Sequence, residues 1–202
     1  MAITINGTTN TITGLAVGGL PDGTVDTDTL ANNAVTSAKS SGLGGVSEVD
    51  QWCVSSDHTI GSSGWHVLNA NWQRPTGTTA ADGSDLGTGM TQSSGVFTFP
   101  SPGFWLVTFH ATGYNSSDRQ FWQIDIQTAA GASLAESQTS IIDNGSSDWY
   151  ESQACSCIMD ITDTSADAGK VNFRVYADGS MNIDAAGSQQ RTGAHFIKLA
   201  DT

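Results

Sequence analysis

The sequence predicts an all-β fold, a sandwich of eight to ten short strands preceded by an extended N-terminal arm. Three observations carry this reading. Strong helix formers are scarce: of 20 acidic residues only Glu48, Glu136 and Glu151 are glutamate, and of 7 basic residues only Lys39, Lys170 and Lys198 are lysine. Instead, 24 Ser, 24 Thr and 23 Gly supply strand and turn residues. Beyond residue 50, apolar and polar residues alternate in short runs broken by Gly, Asp, Asn and Ser. Finally, all 16 aromatics (6 Trp, 7 Phe, 3 Tyr) lie at or after Trp52. Residues 1–49 therefore lack the side chains that supply much of a core's buried area.

Residues 1–45 read as an extended attachment arm. Ile3-Thr4-Ile5 alternates and Asn6-Gly7 turns. Leu15, Leu20, Val25, Leu30 and Val35 then recur at a spacing of five, which fits neither the strand period nor the helix period. Such pegs suit a segment lying along a partner or winding with copies of itself. One candidate short helix follows: Asp26 or Asp28 caps it, Leu30, Ala31, Ala34, Val35 and Ala38 share a face, and Lys39 and Gly42 close it. Residues 40–46, Ser-Ser-Gly-Leu-Gly-Gly-Val, have linker composition. The boundary falls near residue 45, giving an arm at 1–45 and a β-sandwich domain at 46–202.

Strand-like runs fill that domain. They begin at 51–55 and 65–69, and Trp72 precedes a loop at 75–89 rich in Thr, Gly and Asp. The run at 95–99 stops at Pro100-Ser101-Pro102-Gly103, a turn signal. Residues 104–111 place Trp105, Val107 and Phe109 on one face and Leu106, Thr108 and His110 on the other. In 121–128, Trp122, Ile124 and Ile126 oppose Gln123, Asp125 and Gln127. Further strands are expected at 133–142, 149–161, 170–176, 181–183 and 192–199. Strands at this spacing, without intervening helical periods, make a sandwich or barrel.

Charge narrows the partners. Twenty acids against 7 bases give −13, so no basic stripe exists to hold nucleic acid, and anionic membranes repel the chain. No segment reaches the ~20 apolar residues of a membrane-spanning helix. Residues 1–20 lack a basic, then apolar, signal pattern, so no secretory signal peptide is expected. The Asn-x-Ser/Thr triplets at Asn6, Asn115 and Asn144 are then incidental. Of three cysteines, Cys53, Cys155 and Cys157, the last two share one strand face and read as small buried hydrophobes.

Two stretches resemble known families. The arm, with Gly19-Leu20-Pro21-Asp22-Gly23-Thr24-Val25 and Thr29-Leu30-Ala31-Asn32-Asn33-Ala34-Val35-Thr36-Ser37-Ala38-Lys39, is similar to N-terminal regions of fibre-type structural proteins of tailed phages. The remainder resembles the C1q/TNF-like jelly roll, through Gly95-Val96-Phe97-Thr98-Phe99-Pro100, Gly103-Phe104-Trp105-Leu106-Val107-Thr108-Phe109 and the closing His195-Phe196-Ile197-Lys198-Leu199-Ala200-Asp201-Thr202. The resemblance implies a homotrimer on the virion exterior, made in the host bacterial cytoplasm without a signal peptide. The collagen-like Gly-x-y repeats that precede many such domains are missing here.

No motif assigns a catalytic, cofactor-binding or metal-ligating residue. Gly61-Ser62-Ser63-Gly64 reads as a loop, not a nucleophile turn. His58, His66, His110 and His195 are scattered, and His110 and His195 stand on strands beside core positions. Asp143-Asn144-Gly145-Ser146-Ser147-Asp148 and Asp160-Ile161-Thr162-Asp163 carry oxygen ligands but lack calcium-loop spacing, so turn formation is the plainer reading. A glycosidase-type pair such as Asp118 with Asp125 has no spacing that singles it out.

The expected function is therefore a non-enzymatic virion structural protein. It is a homotrimer acting as a capsid decoration protein or a short head or tail fibre, bound to other capsid or tail proteins through residues 1–45. The alternative is a module recognising host-surface glycans through Trp149-Tyr150 or Tyr114; a polysaccharide depolymerase is a third reading. Six Trp exceed what one small sandwich must bury, so some of Trp52, Trp65, Trp72, Trp105, Trp122 and Trp149 are candidates for a subunit interface.

Overall fold

A computed structural model of the chain describes residues 4–8, 11–13, 46–76, 85–115, 120–141, 149–186 and 190–202. The chain divides into two units, Met1–Gly45 and Val46–Thr202. In the first, the turn at Gly7 closes a small antiparallel hairpin of β1 (Thr4–Asn6) and β2 (Thr11–Thr13), with Ile5 opposite Ile12. The pegs from Leu15 to Val35 and the candidate helix between Asp26 and Gly42 lie outside the described residues.

The second unit is built from β3 (Val49–Val54), β4 (His58–Ile60), β5 (Gly64–Val67), β6 (Trp72–Gln73), β7 (Thr91–Ser93), β8 (Val96–Thr98), β9 (Gly103–Asn115), β10 (Gln120–Thr128), β11 (Ser133–Ile141), β12 (Trp149–Ile161), β13 (Lys170–Ala177), β14 (Met181–Asp184) and β15 (Gly193–Ala200). Among the described residues the only helical element is a single 3-10 turn, Asp167–Gly169. The alternating runs read from the sequence become strands, whereas the three-residue β4 and β7 carry too few residues for a period to be visible.

All strand pairs in this unit are antiparallel, and they form two sheets on one plan. In the front sheet, β9 pairs along its whole length with β12. Its other edge is shared end to end by β15, opposite 104–110, and β14, opposite 112–114. Beyond β15 come β3 and β6, and β4 joins β14. In the back sheet, β13 pairs with β10, while its other edge is divided between β8, opposite 170–172, and β5, opposite 174–177. Edge strands β11 and β7 complete it. This arrangement is a jelly-roll sandwich.

Inward rows of both sheets form one core. Phe97 sits at its centre, with ring centroids 5.4 Å from Trp52, 5.1 Å from Trp72, 5.3 Å from Phe173 and 5.3 Å from Phe196. Four of the six Trp, namely Trp52, Trp72, Trp105 and Trp122, are buried, while Trp65 and Trp149 remain exposed. Gly95 closes the β7–β8 turn at φ +80°, and a Cβ there would stand 2.5 Å from the Leu68 carbonyl oxygen, so both conformation and space exclude a side chain.

The first strand of the sandwich is braced by carboxylates. Buried Asp50 accepts from Trp52 Nε1 (2.9 Å), from Arg74 Nε and Nη2 (2.9 and 2.8 Å) and from the Met90 amide (2.6 Å). Glu48 accepts from the Thr88 amide at 2.8 Å. Residues 85–90 are thereby tied to β3, and Val49 bridges to Leu86.

Candidate assembly interface

The front sheet's water-facing side is organised in rows that run across the strands. Val49 of β3, Ile197 of β15, Leu106 of β9 and Ile158 of β12 stand directly opposite one another. Ile158 is 64% exposed, with Phe104 at 40% and Leu199 at 48% nearby in sequence on β9 and β15. A contiguous apolar row on a water-facing sheet is the signature of a surface meant to be covered. Each half-exposed side chain gains roughly 1 kcal/mol on burial.

A polar band follows two residues along. Gln51, His195, Thr108 and Ser156 make the next row, and His110 stands one row further. The His110 and His195 rings lie 5.2 Å apart. His110 Nε2 pairs with the Gln190 carbonyl oxygen at 2.9 Å, His195 Nε2 pairs with Gln190 Oε1, and Gln190 Nε2 donates to Gln51 Oε1 at 2.7 Å. Burial pushes both imidazoles below their ordinary range; the Gln190 carbonyl partly offsets this at His110, and the neighbouring His110 charge adds to it at His195.

At the far end, Tyr114 and Tyr150 are cross-strand partners whose rings stack at 5.0 Å and 27°. The Tyr114 hydroxyl donates to Asp57 Oδ2 at 2.9 Å, and Asp57 Oδ1 accepts from the Ala185 amide. The border strand β12 is 13 residues long, and along its middle Ser152, Ala154 and Ser156 face water. Small neutral side chains there leave the middle of the edge without the charges that usually guard one, while the exposed Glu151 and Asp160 stand towards its ends.

No family model matches the chain, and no curated relative does. Solved structures match its fold. Eiger TNF from S. frugiperda superimposes with a TM-score of 0.51 at 16% identity, covering 76% of this chain and 93% of that one. Murine APRIL at pH 5.0 gives 0.50 at 12% identity, covering 75% and 98%. The sandwich is a TNF-like jelly roll.

Within this TNF-like jelly roll the residues singled out from sequence scatter over several places. Tyr114 and Tyr150 come together, and Trp149 begins the same strand as Tyr150. Cys155 and Cys157 share the inward row of β12, as their spacing predicts, and are thiols; burial, reinforced by the Asp125 charge, pushes them up to about 12 and about 11. His66 Nε2 pairs with the Ser62 carbonyl, so residues 61–64 form a supported turn. Burial first, and the His66 charge second, push the His58 imidazole down.

Asp163 accepts from the Ser165 amide and hydroxyl, the turn role expected of it, and these bonds hold its carboxyl below the usual range. Asp118 and the 143–148 loop lie outside the described residues. Among the described residues no three His, Cys, Asp or Glu side chains converge to hold a metal ion, and no helix is long and apolar enough to cross a membrane. Sequence reading missed the apolar row because each strand contributes one residue to it. The available signal was an aliphatic residue at an outward position in successive runs.

Proposed function

We propose that the chain is a non-enzymatic structural protein of a tailed-phage particle. It assembles as a homotrimer through the front sheet and is displayed on the virion exterior, as a capsid decoration protein or a short head or tail fibre. Residues 1–45 attach it to other capsid or tail proteins. The observation that carries this reading is the apolar row of Val49, Ile197, Leu106 and Ile158 beside the long β12 edge, on a TNF-like jelly roll. Packing another copy against this face buries the row and covers the edge, removing a site for uncontrolled strand addition. The threefold count rests on the resemblance to C1q/TNF-like domains, and the virion role on the similarity of the arm to phage fibre N-termini. A surface rich in Ser and Thr with few charges suits display in water without strong pairing to nucleic acid.

Light scattering of the full chain tests the assembly: the expected mass is three times 21.0 kDa, and a stable monomer overturns it. A cryo-EM map of the particle tests the role, with density expected outside the capsid or on the tail. Recognition of host glycans through Tyr114 and Tyr150 fits less well, because the stacked pair stands on the face that assembly would cover.

A further inference from the structure

The back sheet presents a different surface to water. Trp65 of β5, Tyr176 of β13, Gln123 of β10 and Gln138 of β11 stand directly opposite one another, giving two aromatic rings followed by two amides across four strands. Phe121 adds a third ring, 6.1 Å from Tyr176. Beside the amides an open cavity of about 400 Å³ is lined by Gln123, Glu136, Ser137 and Gln138, and Gln123 Nε2 donates to Gln138 Oε1 at 2.9 Å.

The next row holds Trp65 in place. The Arg174 guanidinium lies 4.2 Å from the Trp65 ring centroid, and its Nε donates to Asp125 Oδ2 at 2.5 Å. Asp125 is fully buried and also accepts from Ser133 Oγ at 2.7 Å. Burial raises the Asp125 carboxyl in spite of its bonds to Ser133 and Arg174. What the ion pair supplies is a fixed cation against one Trp that is left 38% exposed.

We infer that the back sheet is a binding site for a neutral oligosaccharide, stacked on Trp65 and Tyr176 and hydrogen-bonded by Gln123, Gln138 and Glu136. The chemistry selects this class. Strand spacing sets the row at roughly 14 Å, the reach of a few pyranose rings. Aromatic faces pack against the C–H faces of sugars, while amides and a carboxylate can serve hydroxyls that both donate and accept. Among the described residues the cation of the next row, Arg174, is committed to Asp125 and Trp65, and Glu136 together with the net charge of −13 repels anionic ligands. The site lies within one chain and on the sheet opposite the proposed assembly face, so it stands or falls independently of the oligomeric state.

The test is binding of the full-length protein to immobilised neutral and acidic oligosaccharides, followed by tryptophan-fluorescence titration of the retained neutral ones. The expected result is retention of neutral glycans. Trp65→Ala should weaken it about tenfold or more. Gln138→Ala, an exposed change on the far strand, should weaken it with melting temperature and light-scattering mass unchanged, and Trp65→Phe should keep part of it. No retention of any neutral glycan overturns the inference. So does preference for acidic glycans, indifference to Trp65→Ala and Gln138→Ala, or loss on Tyr150→Ala instead.

Discussion

Both sheets place a long strand beside one full-length partner and divide its other edge between two short ones, yet they offer water opposite surfaces. On the front sheet the outward row is aliphatic, Val49, Ile197, Leu106 and Ile158, and its polar band is uncharged. On the back sheet the outward rows are aromatic and amide, and an ion pair lies beneath Trp65. The same backbone plan thus carries two chemically different surfaces through the choice of outward residues. Core positions on both sheets are mostly apolar. An aliphatic row gains by being covered once and permanently; a row of aromatics and amides suits a ligand that comes and goes.

Charging the aliphatic row should break this comparison most completely. Ile158→Arg is expected to convert the proposed trimer to a folded monomer by light scattering, since a buried unpaired cation costs several kcal/mol per subunit. Gln138→Arg on the back sheet should leave the mass unchanged, and a trimeric Ile158→Arg protein would show that the front sheet is not the interface. Next in size is Arg174→Ala, which strands the buried Asp125 and should lower unfolding free energy by about 3 kcal/mol in denaturant titrations. Replacing both members, as Asp125→Leu with Arg174→Met, should recover most of that loss. Tyr150→Ala removes the stack on Tyr114 and should cost about 1 kcal/mol, measured as a melting shift.

The last difference is one of sign. His110 and His195, held below their ordinary value near 6.5, take up protons less readily folded than unfolded. Their stability contribution is fully present above that value and is lost as pH falls beneath it. Asp125 is raised, so its folded form takes up a proton more readily than the unfolded chain. Its contribution is present below the ordinary carboxyl value and lost as pH rises through the folded one. Melting temperature should therefore fall on acidification from pH 7 to 5. A His110→Gln, His195→Gln double variant should flatten that fall; an unchanged slope would assign it to other groups.

Legibility in the sequence followed the range of the interactions. Strands β9, β10 and β12 were readable because alternation is local and long. The alternation of β10 puts Asp125 on the face opposite Trp122, Ile124 and Ile126, and there it stands, between Arg174 and Glu136. Its complete burial depends on Arg174, 49 residues away, and on Ser133 across the hairpin, which no local pattern records. Trp counting foresaw that some indoles would escape the core. It did not show which of the others, because Trp65 stands outward on the four-residue β5, too short for its alternation to mark a face, whereas Trp105 stands inward on the long alternation of β9. The exposed rows were least legible, each being assembled from single residues of four strands.

The bracing of β3 has a mechanical consequence. Any pull transmitted through residues 1–45 enters the sandwich at residue 46 and reaches β3 at Val49, which pairs with Ile197 near the other end of the sequence. A pull between residues 46 and 202 therefore loads this antiparallel pair from one end, where its positions open one at a time. A pull returned through residue 192, at the far end of the same ladder, loads all five paired positions together. The Asp50 and Glu48 clamps hold the residues 85–90 segment to the same strand, so the load spreads into a second stretch of chain. Mechanical resistance at β3 thus depends on where the load leaves the sandwich. In an optical trap, pulling residue 46 against residue 192 should give a higher rupture force than pulling it against residue 202, and Asp50→Ala should lower both.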